Sequence, residues 1–210
     1  MIRIFIADDH AVVREGLKQI ISEVSDMHVA GEADNGTSVL TAMAAGSYDV
    51  LILDITMPGP NILDLLKQLA RQKPRLSILV LSIHPEEQYA VRVLRAGASG
   101  YLTKESAPEE LVNAIRKVSG GGKYVSAALA ERLLFVLGTD LAQLPHDYLS
   151  DREFQSFCMI ASGKSLRDIA RELNLSEKTI STYRSRVLQK MNMKNNAEIT
   201  HYAFKYGLVD

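Results

Sequence analysis

Runs of branched apolar residues alternate with amphipathic stretches through the first 120 positions. Ile2-Arg3-Ile4-Phe5-Ile6-Ala7, Val50-Leu51-Ile52-Leu53-Asp54 and Ser77-Ile78-Leu79-Val80-Leu81-Ser82 are short and nearly uninterrupted, the pattern of strands buried on both faces. Met27 to Ala33 reads as a weaker strand and Gly100-Tyr101-Leu102-Thr103 as a short fifth one. Between them apolar residues recur at helical spacing. Val12, Val13, Leu17, Ile20, Ile21 and Val24 form the first such stripe, and Gly36 to Ala45 a short helix. A third helix around Ile62 to Leu66 ends before Pro74, and Glu86 to Ala96 is closed by Gly97. Ala107 to Ser119 has Pro108 in its first turn and Gly120-Gly121-Gly122 after its end. Five βα units in succession predict an α/β fold, a doubly wound five-stranded parallel sheet with helices on both faces.

The rhythm breaks after residue 121. The glycine run, Gly138-Thr139-Asp140 and Pro145-His146-Asp147 have turn composition, and Ala127 to Leu137, between the glycine run and Gly138, reads as one amphipathic linker helix. From Ser150 the pattern is wholly helical. Ser150-Asp151-Arg152-Glu153 fits a capping box. Ser165 opens a helix running to Leu173, and Asn174-Leu175-Ser176 is a three-residue turn. Ser176 caps a longer helix with a buried stripe of Ile180, Tyr183, Val187 and Met191. A helix, a short turn and a longer helix have helix-turn-helix spacing. A last helix spans about Asn196 to Tyr206. The chain thus divides into 1–121, a linker over 122–147, and a smaller all-α domain over 148–210.

Charge sharpens this division. Residues 1–122 hold 12 Lys/Arg against 15 Asp/Glu, residues 123–147 hold 2 against 3, and residues 148–210 hold 10 against 7. An acidic front and a basic back suggest that the back meets a polyanion. The single cysteine, Cys158, lies in an apolar stretch and reads as a buried thiol, so neither an internal disulfide nor a cysteine zinc cluster is available. With no apolar run long enough for a bilayer and no signal peptide before the first strand, a cytoplasmic protein without a membrane partner is expected.

Chemistry gathers at the carboxyl ends of the predicted strands, where open parallel sheets bind ligands. The first ends in Asp8-Asp9, the third in Asp54, the fourth in Ser82 and the fifth in Lys104. If the sheet is ordered 2-1-3-4-5, three carboxylates converge. Their mutual repulsion calls for a cation, and oxygen ligands favour Mg²⁺ or Mn²⁺. A carboxylate there can also act as a nucleophile, with the lysine and hydroxyl engaging a phosphoryl group.

These segments resemble a known family. Ile4 to His10, Leu51 to Gly59, Leu81-Ser82 and Gly100 to Lys104 are similar to the receiver domain of two-component response regulators, a flavodoxin-like fold. Leu149 to Glu153, Ala161 to Ser165, Ile169-Ala170 and Leu175 to Ile180 resemble the LuxR-type helix-turn-helix. Together they point to the NarL/FixJ class of transcription regulators. The resemblance implies that Asp54 accepts phosphate from a cognate histidine kinase. It further implies that Asp8, Asp9, Asp54 and the Thr56 carbonyl hold Mg²⁺, that Ser82 and Lys104 bind phosphoryl oxygens, and that Tyr101 is an aromatic switch. From spacing alone Tyr101 reads as a half-buried edge residue. Two positions depart from the family. Ile62 stands where receivers usually place glycine, and a β-branched residue disfavours positive φ, so the loop beside Asp54 is expected to run differently. Glu105 stands where many receivers have proline.

In the second domain Lys178, Thr179, Ser181, Thr182, Arg184, Ser185 and Lys190 are the expected DNA contacts. The lysines would meet phosphates and the small hydroxyl residues would meet base edges. A homodimer on two half-sites is expected, because one small helix-turn-helix binds weakly. Two other readings are open: a hydrolase working through an aspartyl phosphate, which leaves 148–210 unexplained, and a regulator controlled by protein partners independently of phosphorylation, which Ile62 keeps open.

Overall fold

A computed structural model describes residues 1–83, 86–127, 129–131 and 144–209. The chain divides into two compact units, Met1–Leu134 and Phe135–Asp210. The first unit is the expected parallel sheet, in strand order 2-1-3-4-5: β1 (Ile2–Ala7), β2 (Met27–Ala33), β3 (Val50–Asp54), β4 (Ser77–Ser82) and β5 (Gly100–Thr103). The helices between and after them are α1 (Ala11–Ser22), α2 (Gly36–Ala45), α3 (Ile62–Gln72), α4 (Glu86–Ala96) and α5 (Pro108–Ser119). Every residue of β3 and β4 is buried, as central strands covered on both faces must be. Ile4, Ile6, Val50, Ile52, Leu79, Leu81 and Leu102 form one face of the sheet, packed with Leu17 and Ile21 of α1 and Leu111, Ala114, Ile115 and Val118 of α5.

Register is what positions the strand ends. Ala7 lies opposite Leu53, Asp54 opposite Leu81, and Ser82 opposite Thr103. Asp8, Asp54, Ser82 and Lys104 therefore leave the sheet at nearly one level.

Three expectations change. Val12 is 86% exposed, because one residue of the apolar run at the start of α1 falls outside its buried arc. Tyr101 is buried rather than half-exposed, at 1%, since β5 does not end the packing. Tyr124 pairs with Gly100, and its carbonyl accepts from the Tyr101 amide at 3.2 Å. The start of the expected linker thus lies along β5. Gly121 turns the chain at φ 82°, and at Gly122 an added Cβ would come within 2.9 Å of the Lys117 carbonyl. Lys123 Nζ also donates to the Ala98 carbonyl at 2.8 Å. Of the expected linker helix, Ala127 and 129–131 are helical, and its remainder to Leu137 lies outside the described residues.

The loop after β3 resolves the Ile62 departure. Ile62 is the first residue of α3, capped by Asn61, whose side chain accepts from the Leu63 and Asp64 amides. The positive φ falls on Gly59 instead, at 126°, with the Gly36 amide nitrogen 3.2 Å from where a Cβ would stand.

The second unit is all-helical: a short 3₁₀ turn (Pro145–Tyr148), then α6 (Asp151–Ala161), α7 (Leu166–Glu172), α8 (Glu177–Lys190) and α9 (Asn196–Lys205). Ser150, Ser165, Ser176 and Asn195 each cap the following helix with a side-chain oxygen. Asn174 takes the left-handed turn between α7 and α8 at φ 52°. Phe154, Phe157, Ile169, Ile180, Val187 and Ile199 are fully buried, and Cys158 is buried with them. Tyr183 is only half-buried, at the edge of the stripe expected from spacing.

Candidate phosphorylation site and nucleic-acid interface

The sheet delivers two almost fully buried carboxylates, Asp8 and Asp54, to one crevice. Lys104 Nζ lies between them, 2.6 Å from Asp8 Oδ2 and 3.1 Å from Asp54 Oδ2. Burial works against the Lys104 charge, but its hydrogen bond to Asp8 and the fields of Asp54 and Asp8 outweigh burial and raise its pKa above the ordinary lysine value. Asp54 Oδ2 also accepts from the Thr56 hydroxyl at 2.6 Å, and Oδ1 from the Thr56 amide at 3.2 Å. Ser82 is fully buried at the end of β4, its carbonyl accepting from the Lys104 amide at 2.7 Å. Tyr101 lies buried one strand away.

Asp8, Asp9, His10 and Asp54 each offer a ligand atom within 4.8 Å of the others. Beyond its ion pair with Lys104, the buried Asp8 Oδ2 has no hydrogen-bond partner among the described residues. An oxygen-rich set with an underused buried carboxylate oxygen fits a hard divalent cation, and this acidic pocket is of the type that binds Mg²⁺. Sequence reasoning did not assign His10. Its Nδ1 is 2.8 Å from Asp9 Oδ1 and 3.3 Å from Asp8 Oδ1, so an imidazole does border the carboxylates. The spacing Asp-Asp-His was the available clue.

In the second unit Lys178, Ser181, Thr182 and Ser185 lie exposed on α8, and Thr179 and Arg184 are half-exposed. Thr182 and Ser185 donate their hydroxyls to the carbonyls one turn back, at 2.9 and 3.0 Å. Each hydroxyl oxygen keeps the capacity to accept. Arg184 Nε bonds Asn196 Oδ1 at 2.6 Å.

Lys190, 40% exposed, has a partner within its own domain. Its ammonium lies 2.6 Å from Glu153 Oε2, a side chain only 3% exposed, and it also donates to the Tyr148 carbonyl. The same Glu153 closes the capping box of α6 by accepting from the Ser150 amide at 2.8 Å. Lys190 therefore joins the end of α8 to the start of α6. Spacing along α8 did not reveal this, because the partner lies 37 residues away.

Burial alone would raise the Glu153 carboxyl, but Lys190 and Ser150 outweigh it and hold its pKa below the ordinary glutamate value. A depressed carboxyl contributes stability that is present above its unfolded pKa, near 4.5, and lost as pH falls through the folded value. Glu153→Gln should therefore flatten the acid limb of the stability profile. Near neutral pH it should cost about 1–3 kcal/mol, toward the lower end because Lys190 is partly solvated. Thermal unfolding as a function of pH measures both.

A model of the response regulator receiver domain matches residues 4–116, and one of the luxR family of bacterial regulatory proteins matches residues 147–203. The chain belongs to the NarL/FixJ class of response regulators. The regulator is 36% identical over 209 residues to Response regulator UvrY of Escherichia coli O6:H1, spanning 99% of this chain and 96% of that protein. It is 36% identical over 211 residues to Response regulator GacA of Pseudomonas protegens, spanning 100% and 99%. Among solved structures it is similar to RcsB of Salmonella enterica serovar Typhimurium bound to promoter DNA in the presence of phosphomimetic BeF₃⁻. That likeness has a TM-score of 0.62 and 27% identity, and covers 96% of this chain and 97% of that one. This response regulator thus pairs a receiver with a DNA-binding LuxR-type domain, in a family of transcription regulators rather than enzymes. Among the described residues no helix is long and apolar enough to cross a membrane.

Proposed function

We propose that Asp54 accepts a phosphoryl group from a cognate histidine kinase and that this modification switches DNA binding by α8. The observation that carries the reading is the buried triad of Asp8, Asp54 and Lys104, with the ammonium in reach of both carboxylates. Asp8, Asp9 and Asp54, with the Thr56 carbonyl, would hold Mg²⁺, which when bound offsets phosphoryl charge. Asp54 is the nucleophile: its carboxylate oxygen bonds phosphorus as the P–N bond to the kinase's histidine breaks and the imidazole leaves. Lys104 leaves its carboxylate partners to engage a phosphoryl oxygen, and the Ser82 hydroxyl engages another. Movement of Ser82 toward that oxygen, followed by Tyr101, is the bistable element that the modification biases. Intact-mass measurement after incubation with a small phosphodonor and Mg²⁺ tests the assignment. One added phosphoryl group is expected, and none would refute it.

The output is read by α8 in the major groove, as a homodimer on paired half-sites in the cytoplasm. The DNA complexes of RcsB support this reading, as does the basic second domain. The receiver occupies 1–121, the linker 122–147 with its first residues docked on β5, and the DNA-binding domain 148–210. Lys178 meets phosphate, as does Lys190 with its partly exposed side chain, while Thr179, Ser181, Thr182, Arg184 and Ser185 reach bases or the sugar-phosphate edge. Lys178→Ala should weaken binding to all sequences and flatten the salt dependence. Ser181→Ala, Thr182→Ala and Ser185→Ala should alter preference among sites, by about 1–3 kcal/mol for a good contact. Competition binding at two salt concentrations separates the two classes. Site preference that follows Lys178 and ignores the hydroxyl residues would place another face of α8 in the groove.

A further inference from the structure

The chain between β1 and α1 must hold two carboxylates beside Asp54, and its own turn restrains their side chains: the His10 amide donates to Asp8 Oδ1 at 2.8 Å and the His10 ring borders both carboxylates. His10, at the start of α1, makes no side-chain cap to the helix. A further restraint, on the main-chain carbonyl, comes from Arg14, one turn into α1, whose Nη1 donates to the carbonyl of Asp8 at 2.8 Å. The guanidinium is itself anchored. Its Nε lies 3.2 Å from Glu32 Oε2, just before the end of β2. The same carboxylate oxygen receives Lys18 Nζ at 2.8 Å, and Lys18 also pairs with Glu15 at 2.8 Å. Arg14 is largely buried by this packing, with its side chain 17% exposed. Lys18, and after it Arg14, favour the ionised form of Glu32, so the anchor stays charged. Beside the Asp8 amide's own bond to the Ala33 carbonyl at 3.1 Å, one cation thus ties the Asp8 carbonyl to a side chain of the neighbouring strand, and nothing in the phosphorylation chemistry uses it.

We propose that Arg14 is a positioning residue for the cation site: by holding the Asp8 carbonyl it fixes the direction in which the Asp8 and Asp9 carboxylates leave β1. The inference rests on the reading that Asp8, Asp9 and Asp54 bind Mg²⁺. Its sign distinguishes it from an electrostatic role. A guanidinium beside a cation site repels the cation, so charge alone predicts tighter Mg²⁺ binding when Arg14 is removed. Lost positioning predicts weaker binding, as when groups that orient metal ligands are removed. A tie that served only to join α1 to β2 would lower the unfolding temperature and leave Mg²⁺ affinity alone.

The test is thermal unfolding of the full chain titrated with MgCl₂, reading the half-saturating Mg²⁺ concentration for wild type, Arg14→Ala, Arg14→Lys and Glu32→Gln. Arg14→Ala should raise that concentration about tenfold, the low end for groups that support metal ligands. Arg14→Lys, which keeps the charge and a donor but not the fork, should recover part of the loss. Glu32→Gln should give a rise in the same direction. A half-saturation within about twofold of wild type in Arg14→Ala, or a fall, overturns the proposal. Where Arg14→Ala fails to fold, unchanged values in both Arg14→Lys and Glu32→Gln overturn it. A wild-type chain with no Mg²⁺ response overturns the cation reading itself, and this inference with it. That outcome is distinct from a wild-type response that the variants leave intact.

Discussion

Asp54→Asn should reduce phosphoryl labelling to background while leaving the receiver folded. The amide keeps the shape of the side chain but lacks the anionic oxygen needed to attack phosphorus. Asp54 is 1% exposed and faces Lys104 at 3.1 Å, so the variant also removes one of two buried negative charges that share a single ammonium. Like charges confined together destabilise one another, and the Asn variant is therefore expected to be no less stable than wild type in the absence of Mg²⁺. Intact-mass measurement reads the labelling, and thermal unfolding in a chelator reads the stability. Labelling of the variant at the wild-type level would move the acceptor elsewhere.

The second large effect is expected at Lys104. Lys104→Ala leaves the side chains of Asp8 and Asp54, 2% and 0% exposed, without their shared counter-charge. Breaking a buried ion pair by removing one partner costs about 3–5 kcal/mol, because the remaining charge is uncompensated. Excess Mg²⁺ should return much of this, since a bound cation replaces the lost charge and stabilises the folded state by mass action. The pH dependence has a definite sign. A lysine whose pKa is raised on folding contributes stability that is fully present below its unfolded value, near 10.5, and is lost as pH rises through the folded value. Wild type should lose stability in that alkaline window, and Lys104→Ala should lack that component. Unfolding with chelator and with Mg²⁺, at neutral and alkaline pH, reads all three effects. A variant as stable as wild type in chelator would mean that the Lys104 ammonium does not offset the two carboxylates.

The strand ends are legible in the sequence because they depend on period and order alone. Four apolar residues ending in Asp54 specify a buried central strand, and parallel register then carries Asp8, Ser82 and Lys104 to the same edge. Helix starts are legible for a similar reason: Ser150 and Glu153 meet across one turn, so local spacing determines the capping box. Partners distant along the chain are not legible in this way. Lys190 has the same spacing on α8 whether or not it meets Glu153, and only the packing of α6 on α8 brings the two together. Tyr101 depends on Tyr124, which spacing alone assigns to a linker. Arg14 looks like an ordinary solvated helix charge until β2 brings Glu32 beside it. Ile62 shows the converse. The turn does need a residue at positive φ, but Gly59 supplies it, and Ile62 is free to start a helix.

The most direct test is the affinity of the full chain for a selected DNA site, measured with and without a small phosphodonor in the presence of Mg²⁺, for wild type and Asp54→Asn. The account predicts that the phosphodonor tightens wild-type binding and leaves Asp54→Asn at the unmodified affinity. Equal affinities in all four measurements, with the wild-type chain confirmed as phosphorylated, would contradict it.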